Sequence, residues 1–184
     1  MHLQGWVHGD IKPENIFVRR SASTGTIKVT LIDFDLSQRP GNKPRRTRGS
    51  TLGYQPPEDF LNMPLDQYAR DSWMLGATIY VTLTDKLPYG VDYDETRKVY
   101  RRWSDRKLSS TMLHIGATGT NTFPPIRTSK NQHLLGLMNK LMTCKVRDRP
   151  TIVELGASLV SLVSWGDKPS SHVLPVLQKA MRSE

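Results

Sequence analysis

The residues best suited to chemistry lie in one short stretch, His8-Gly9-Asp10-Ile11-Lys12-Pro13-Glu14-Asn15. It brings a carboxylate, an ammonium and an amide close together in the chain. Pro13 has no amide donor and disfavours the α region for Lys12, so the stretch predicts a rigid loop rather than a helix. Asp10 can accept a proton, Lys12 can seek phosphate, and Asn15 offers a neutral oxygen ligand. A turn-like loop can aim all three at one point. That set suits phosphoryl transfer, where positioning and charge neutralisation do most of the work.

The neighbouring elements must hold this loop in place. Residues 16–19 and 27–32 are rich in β-branched side chains, and the Ser, Thr and Gly between them favour a turn, which predicts a small hairpin. Asn15 then stands just before its first strand and Asp33 just after its second, so Asp33 joins the cluster. Residues 37–50 are polar and basic, punctuated by Pro40-Gly41 and Pro44, and predict an exposed loop. The loop ends in Thr51-Leu52-Gly53-Tyr54-Gln55-Pro56-Pro57-Glu58, where two prolines oppose regular structure.

Helices are expected from there on. Residues 72–84 are almost wholly apolar, which predicts a helix buried on most sides, with Asp71 as its cap. After Leu87-Pro88-Tyr89-Gly90, residues 93–103 predict a charged helix and residues 109–128 a Gly-, Thr- and Pro-rich loop. Leu134, Leu135, Leu137, Met138, Leu141 and Met142 fall at helical spacing. Thr151 with Glu154 forms a capping-box pattern opening a helix through Val163. Residues 164–184 read as a tail with one terminal helix near 175–182.

Global properties narrow the function classes. A chain of 184 residues can bury one sizeable core, and 37% hydrophobic with 23% charged residues is ordinary for a globular protein. No run of about 18 apolar residues exists to span a bilayer, and the first residues lack the basic and apolar regions of a secretory signal. These features predict an intracellular, cytoplasmic or nuclear, protein. The single cysteine, Cys144, cannot form an internal disulfide and reads as inert. The net charge is +9, but the basic residues fall in separate clusters without the interleaved aromatics of a base-stacking platform. The charge therefore fits an acidic substrate or partner, or a solvated surface, better than nucleic acid. Lys43 to Arg48 reads as a solvated loop.

The motifs together resemble the protein kinase superfamily of eukaryotic, serine/threonine type. Residues 8–15 resemble its catalytic loop, Asp33-Phe34-Asp35 its metal-binding Asp-Phe-Gly, and Pro56-Pro57-Glu58 the Ala-Pro-Glu closing an activation segment over residues 33–58. Asp71-Ser72-Trp73-Met74-Leu75-Gly76 resembles the family's central-helix motif, and Arg149 lies where the family pairs an arginine with the Glu58 equivalent. The resemblance implies a partial kinase domain over residues 1–163, mainly helical, with a small β-hairpin beside the catalytic loop. It implies Asp10 as catalytic base, Lys12 on the γ-phosphate, Thr51 bridging both, and Asn15 with Asp33 holding Mg²⁺ beside ATP. The Lys12 and Thr51 pattern implies Ser or Thr acceptors. His8, Glu58, Asp71 and Arg149 are implied as structural support, with His8 buried.

Three departures from the family pattern shape the expectations. Gly9 replaces an arginine that clamps a phosphorylated activation loop, so activation should not depend on that clamp. Asp35 stands where glycine usually gives freedom in φ. Nothing matches the glycine-rich loop, the strand lysine or its partner glutamate, so the N-lobe is expected to be absent. That would leave part of the apolar surface of residues 72–84 uncovered. Two functions follow from the resemblance. The chain is the C-lobe portion of a Ser/Thr kinase that needs an N-lobe-supplying segment, or it is an inactive kinase-like module that binds another kinase or a signalling protein.

Overall fold

A computed structural model of the chain describes residues 1–41, 50–61, 65–94, 96–127, 129 and 131–159. The basic run 43–48, residues 160–163 of the expected last helix and the expected tail 164–184 lie outside the described residues.

The longest helix among the described residues, α1 (Gln67–Thr84), is the axis around which they pack. Trp73, Met74, Ala77 and Val81 are completely buried along it. Its start differs from expectation: the cap is Asp66, whose carboxylate accepts the Tyr68 and Ala69 amides at 2.9 and 3.0 Å. Asp71 sits a full turn inside the helix and is itself buried, which frees its carboxylate for other partners. The extra turn is anchored by Arg70, fully buried and paired in a two-pronged bond with Asp59 at 2.6 and 2.7 Å. No apolar periodicity marks that turn, because its residues are held by charge pairing.

Antiparallel β1 (Ile16–Arg20) and β2 (Ile27–Leu31) form the expected hairpin in the register Ile16 to Leu31 and Arg20 to Ile27. A second hairpin, β3 (Val91–Asp94) with β4 (Val99–Arg102), overturns the charged helix expected over 93–103. Val91, Tyr93, Val99 and Tyr100 carry the strand preference, Tyr93 lies directly opposite Tyr100, and their rings pack at 4.9 Å between centroids.

The first half of the loop expected over 109–128 is instead helical, and the described residues from 119 to 127 stay outside regular structure. Helix α2 (Asp105–Thr118) is capped by Ser104 and ends at left-handed Gly119. Leu108, Met112 and Ile115 form its buried stripe, a helical spacing masked by the surrounding Ser, Thr and Gly. Helix α3 (Gln132–Leu141) starts just ahead of the apolar spacing that opens at Leu134, and α4 (Ile152–Leu159) lies within the span read from the sequence. The capping box before α4 is formed, with Thr151 N donating to Glu154 Oε2 at 2.7 Å and Glu154 N donating back to Thr151 Oγ1 at 3.3 Å. The proline pair 56–57 does not forbid order, since Pro57–Phe60 makes a short 3-10 turn with proline at its first position.

The core lies where α1, α2 and α3 meet, closed by Tyr54, Tyr80 and Tyr89. Gly76 lets α3 approach α1: a Cβ there would stand 2.6 Å from Met142 Cγ. The uncovered apolar surface is not mainly on the central helix. Leu75, Ile79 and Leu83 are half-buried on its most open side. The more exposed patch is the first hairpin, where Phe17, Val18 and Val29 are each more than half exposed.

Candidate functional site

The loop 8–15 is held from below by α1. Both oxygens of Asp71 are used: Oδ2 accepts the His8 amide at 2.7 Å and Oδ1 accepts the Gly9 amide at 2.9 Å. His2 Nε2 also lies 2.8 Å from Asp71 Oδ2. A carboxylate that accepts several N–H bonds in a buried setting fixes the backbone more firmly than neutral acceptors do. Gly9 makes the turn possible, with φ 84 and Leu36 O only 2.7 Å from where a Cβ would stand.

His8 is buried, as expected for a structural residue. Its Nε2 lies 3.1 Å from the Ile32 carbonyl, and Asp10 N donates to its Nδ1 at 3.4 Å. The tautomer with the proton on Nε2 satisfies both, so the ring ties the loop to the end of the hairpin. Asn15 does the same from the other side. Its carbonyl accepts the Ile32 amide at 3.0 Å, and its side-chain Nδ2 donates to Asp10 O at 2.9 Å.

Asp10, Lys12 and Thr51 form a closed triad. Asp10 Oδ1 accepts from Thr51 N at 3.0 Å and Thr51 Oγ1 at 2.8 Å, and Asp10 Oδ2 meets Lys12 Nζ at 2.7 Å. Lys12 Nζ also donates to Thr51 Oγ1 at 2.8 Å. Burial pushes the Asp10 carboxyl up, but hydrogen bonds from Lys12 and Thr51, with the Lys12 charge, outweigh it and hold the group below its ordinary value. Asp10 is thus an ionised acceptor at neutral pH. Tyr54, buried nearby, is pushed up in turn by burial and by the charges of Glu14 and Asp10, so its hydroxyl keeps its proton.

Asp33 reaches the site differently. It is exposed and stands beyond the end of β2, with φ 62, and its Oδ1 accepts the Asp35 amide at 3.5 Å. The left-handed residue is therefore Asp33 rather than Asp35, because the side chain of Asp33 folds back onto the following backbone, a bond open to aspartate. Among the described residues Asp33 makes no hydrogen bond with Asp10, Lys12 or Asn15. It follows directly on Ile32, whose backbone is bonded by His8 and Asn15.

Among the described residues Glu58 and Arg149 make no hydrogen bond or ion pair with the triad. Arg149 Nη1 and Nη2 hold Glu58 at 2.5 and 2.9 Å, and Arg149 also donates to the carbonyls of Ala69 and Thr143 at 3.0 and 2.8 Å. Its guanidinium lies 4.9 Å from the centre of the Trp73 ring. Sequence reasoning missed two members of the surrounding structure. One is His2 on Asp71, for which no local pattern exists. The other is the Asp59 and Arg70 pair, which a search for a buried arginine beside an apolar helix could have raised.

A catalytic-type loop pinned to a buried central helix, flanked by a hairpin and an ion-paired segment, defines a kinase-like domain. Residues 1–159 match the family model described as protein kinase domain, and the chain belongs to the protein kinase family. It is 33% identical over 156 residues to sperm motility kinase 3A of Mus musculus, covering 84% of this chain and 26% of that protein. Sperm motility kinase Z of the same species is 29% identical over a 192-residue alignment covering 99% of this chain and 33% of that protein. CBL-interacting protein kinase 21 of Oryza sativa subsp. japonica is 36% identical over 105 residues, covering 55% of this chain and 19% of that protein. The chain spans no more than about a third of the length of these relatives. No helix among the described residues is long and apolar enough to cross a membrane.

Proposed function

We propose that this chain carries the catalytic lobe of a Ser/Thr protein kinase, moving the γ-phosphoryl group of ATP to a serine or threonine hydroxyl of a protein. The observation that carries the reading is the Asp10, Lys12 and Thr51 triad, with distances of 2.7 to 3.0 Å. In this role Asp10 orients the acceptor hydroxyl and takes its proton. Lys12 exchanges part of its contact with Asp10 for the transferring phosphoryl group. Thr51 keeps both side chains aimed, and its pairing with Lys12 supports Ser or Thr acceptors.

Magnesium fits the donors present. The Asn15 NH₂ is spent on Asp10, which leaves Oδ1 as a hard oxygen donor, and Asp33 supplies an exposed carboxylate. Among the described residues no three His, Cys, Asp or Glu side chains gather around one point. Two oxygen donors suit a cation that keeps water and phosphate oxygens in its shell, as Mg²⁺ does. When bound, such an ion neutralises charge on the phosphates. In this reading the lobe that covers the nucleotide comes from another segment or chain.

A second reading is favoured by the exposed apolar face of the first hairpin: a kinase-like module that docks on another kinase or a signalling protein. One experiment separates them. A product carrying this chain is assayed with Mg·ATP and a serine-containing protein, beside its Asp10→Ala form. The kinase reading expects transfer that falls about two to four orders of magnitude in the variant, with unchanged circular dichroism. No transfer by any product carrying the chain, or transfer indifferent to Asp10→Ala, overturns it.

A further inference from the structure

The tip of the first hairpin is basic and hydroxyl-rich. Arg19 on β1 stands directly opposite Lys28 on β2, and Arg20 follows at the mouth of the turn. Like charges facing each other across an antiparallel pair repel, and a carboxylate nearby would relieve this. Among the described residues none of the three meets one. The turn itself carries Ser21, Ser23, Thr24 and Thr26 and no acidic residue.

The hydroxyls are not equivalent. Ser21 is half-buried, and its Oγ accepts the Thr24 amide at 3.3 Å. Thr24 and Thr26 bond each other at 2.7 Å. Ser23 is exposed, and among the described residues its hydroxyl bonds only Ser21 Oγ, at 3.1 Å. The Arg20 side chain folds back over the turn: a methyl group at Gly25 would stand 3.9 Å from Arg20 Nη2. An anion attached at Ser23 would thus find a guanidinium already leaning over the turn, while Arg19 and Lys28 project from the other face of the hairpin one residue pair further from the tip.

We propose that Ser23 is a phosphorylation site and that its phosphate is held by Arg20 in the field of Arg19 and Lys28. The donor is ATP, bound by a modifying enzyme that favours basic residues ahead of the acceptor. The Ser23 Oγ to phosphorus bond forms, the bond to ADP breaks, and the hydroxyl proton passes to that enzyme's base. The phosphate brings a charge of about −1.5 to −2, which offsets part of the positive charge gathered at the hairpin tip. Its reach is local. Five strand residues at about 3.4 Å each separate the tip from Asn15, so the modification tightens the hairpin without entering the triad. This proposal stands whether or not the chain transfers phosphate itself.

The test uses the full 184-residue chain, Mg·ATP and an arginine-directed serine/threonine kinase. Peptide mass spectrometry is expected to place phosphate on Ser23, with loss of that signal in Ser23→Ala. Phosphorus NMR of the modified chain is expected to show a phosphate titration midpoint lower in the folded protein than in the same chain unfolded by urea. Arg20→Ala should move the folded midpoint back toward the unfolded one. Absence of phosphate from Ser23 overturns the site. Equal midpoints in the folded and unfolded chains overturn the clamp, and so does indifference to Arg20→Ala.

Discussion

Arg149 and Glu58, 91 residues apart in sequence, form a two-pronged ion pair that is almost wholly removed from solvent. Arg149 also caps two carbonyls and covers the Trp73 ring, so the pair joins the short turn Pro57–Phe60 to the central helix and to the turn before α4. Removing one partner leaves a buried charge without compensation. Glu58→Ala and Arg149→Ala are each expected to lower stability by about 3–5 kcal/mol, read by urea unfolding. Arg149→Lys should recover little of the loss, because an ammonium cannot reproduce the planar fork.

Gly9 is expected to tolerate no side chain. Its φ of 84 already disfavours L-residues, and a Cβ would fall 2.7 Å from the Leu36 carbonyl oxygen. The left-handed conformation costs about 1–2 kcal/mol and the contact about as much again. Gly9→Ala should therefore destabilise by about 2–4 kcal/mol. Gly9→Arg, which restores the side chain the family pattern favours, should do no better. A stable Gly9→Arg protein with an unshifted unfolding midpoint would show that the loop can move away from Leu36.

The depressed Asp10 carboxyl links the triad to pH. Its protons bind more weakly in the folded state than in the unfolded one, so its contribution to stability is fully present above the ordinary carboxylate value of 3.8 and is lost as pH falls through the folded value. Asp10→Asn removes this titration. The stability advantage of the parent over Asp10→Asn is expected to be largest near neutral pH and to shrink below about pH 4, measured by urea unfolding at several pH values. An advantage that grows on acidification would mean that burial, rather than Lys12 and Thr51, governs the group.

Much of this arrangement was legible in the sequence because it is local. The first hairpin followed from β-branched runs around a Ser- and Gly-rich turn, and the capping box before α4 from Thr151 and Glu154. Side chains whose partners are distant left weaker traces. Asp71 read as a helix cap because it precedes the apolar run, yet the cap is Asp66 and the intervening turn is held by Arg70 against Asp59. The second hairpin was hidden by charge: Arg97, Lys98, Arg101 and Arg102 suggested a solvated helix, whereas Lys98 adopts φ 55 and turns the chain back. In α2 the spacing of Leu108, Met112 and Ile115 was present, but small polar residues diluted it.

The exposed face of the first hairpin should govern solution behaviour. Val18 lies directly opposite Val29, both more than half exposed, with Ile27 two residues along on the same face. Contiguous apolar surface of this kind drives association. The 184-residue chain alone is expected to self-associate in a concentration-dependent way by light scattering. Val18→Asp with Val29→Lys should shift it toward monomer while leaving the unfolding midpoint nearly unchanged, since exposed substitutions usually fall within about 0.5 kcal/mol. A parent chain that stays monomeric at high concentration would show that this face is too small to pair.

The Asp71 carboxylate offers the sharpest separation of support from chemistry. It touches no candidate reacting group, yet it holds the His8 and Gly9 amides just before Asp10. Asp71→Ala leaves two buried amides unpaired, each costing about 1–3 kcal/mol, and is expected to lower the unfolding midpoint substantially. Asp71→Asn keeps one acceptor oxygen and should retain the fold with a smaller loss. In a product that shows transfer activity, Asp71→Asn should lower kcat more than it raises KM, because it displaces Asp10 without altering the acceptor surface. Equal loss in both parameters would assign Asp71 to binding, and an unchanged kcat would remove it from the positioning role.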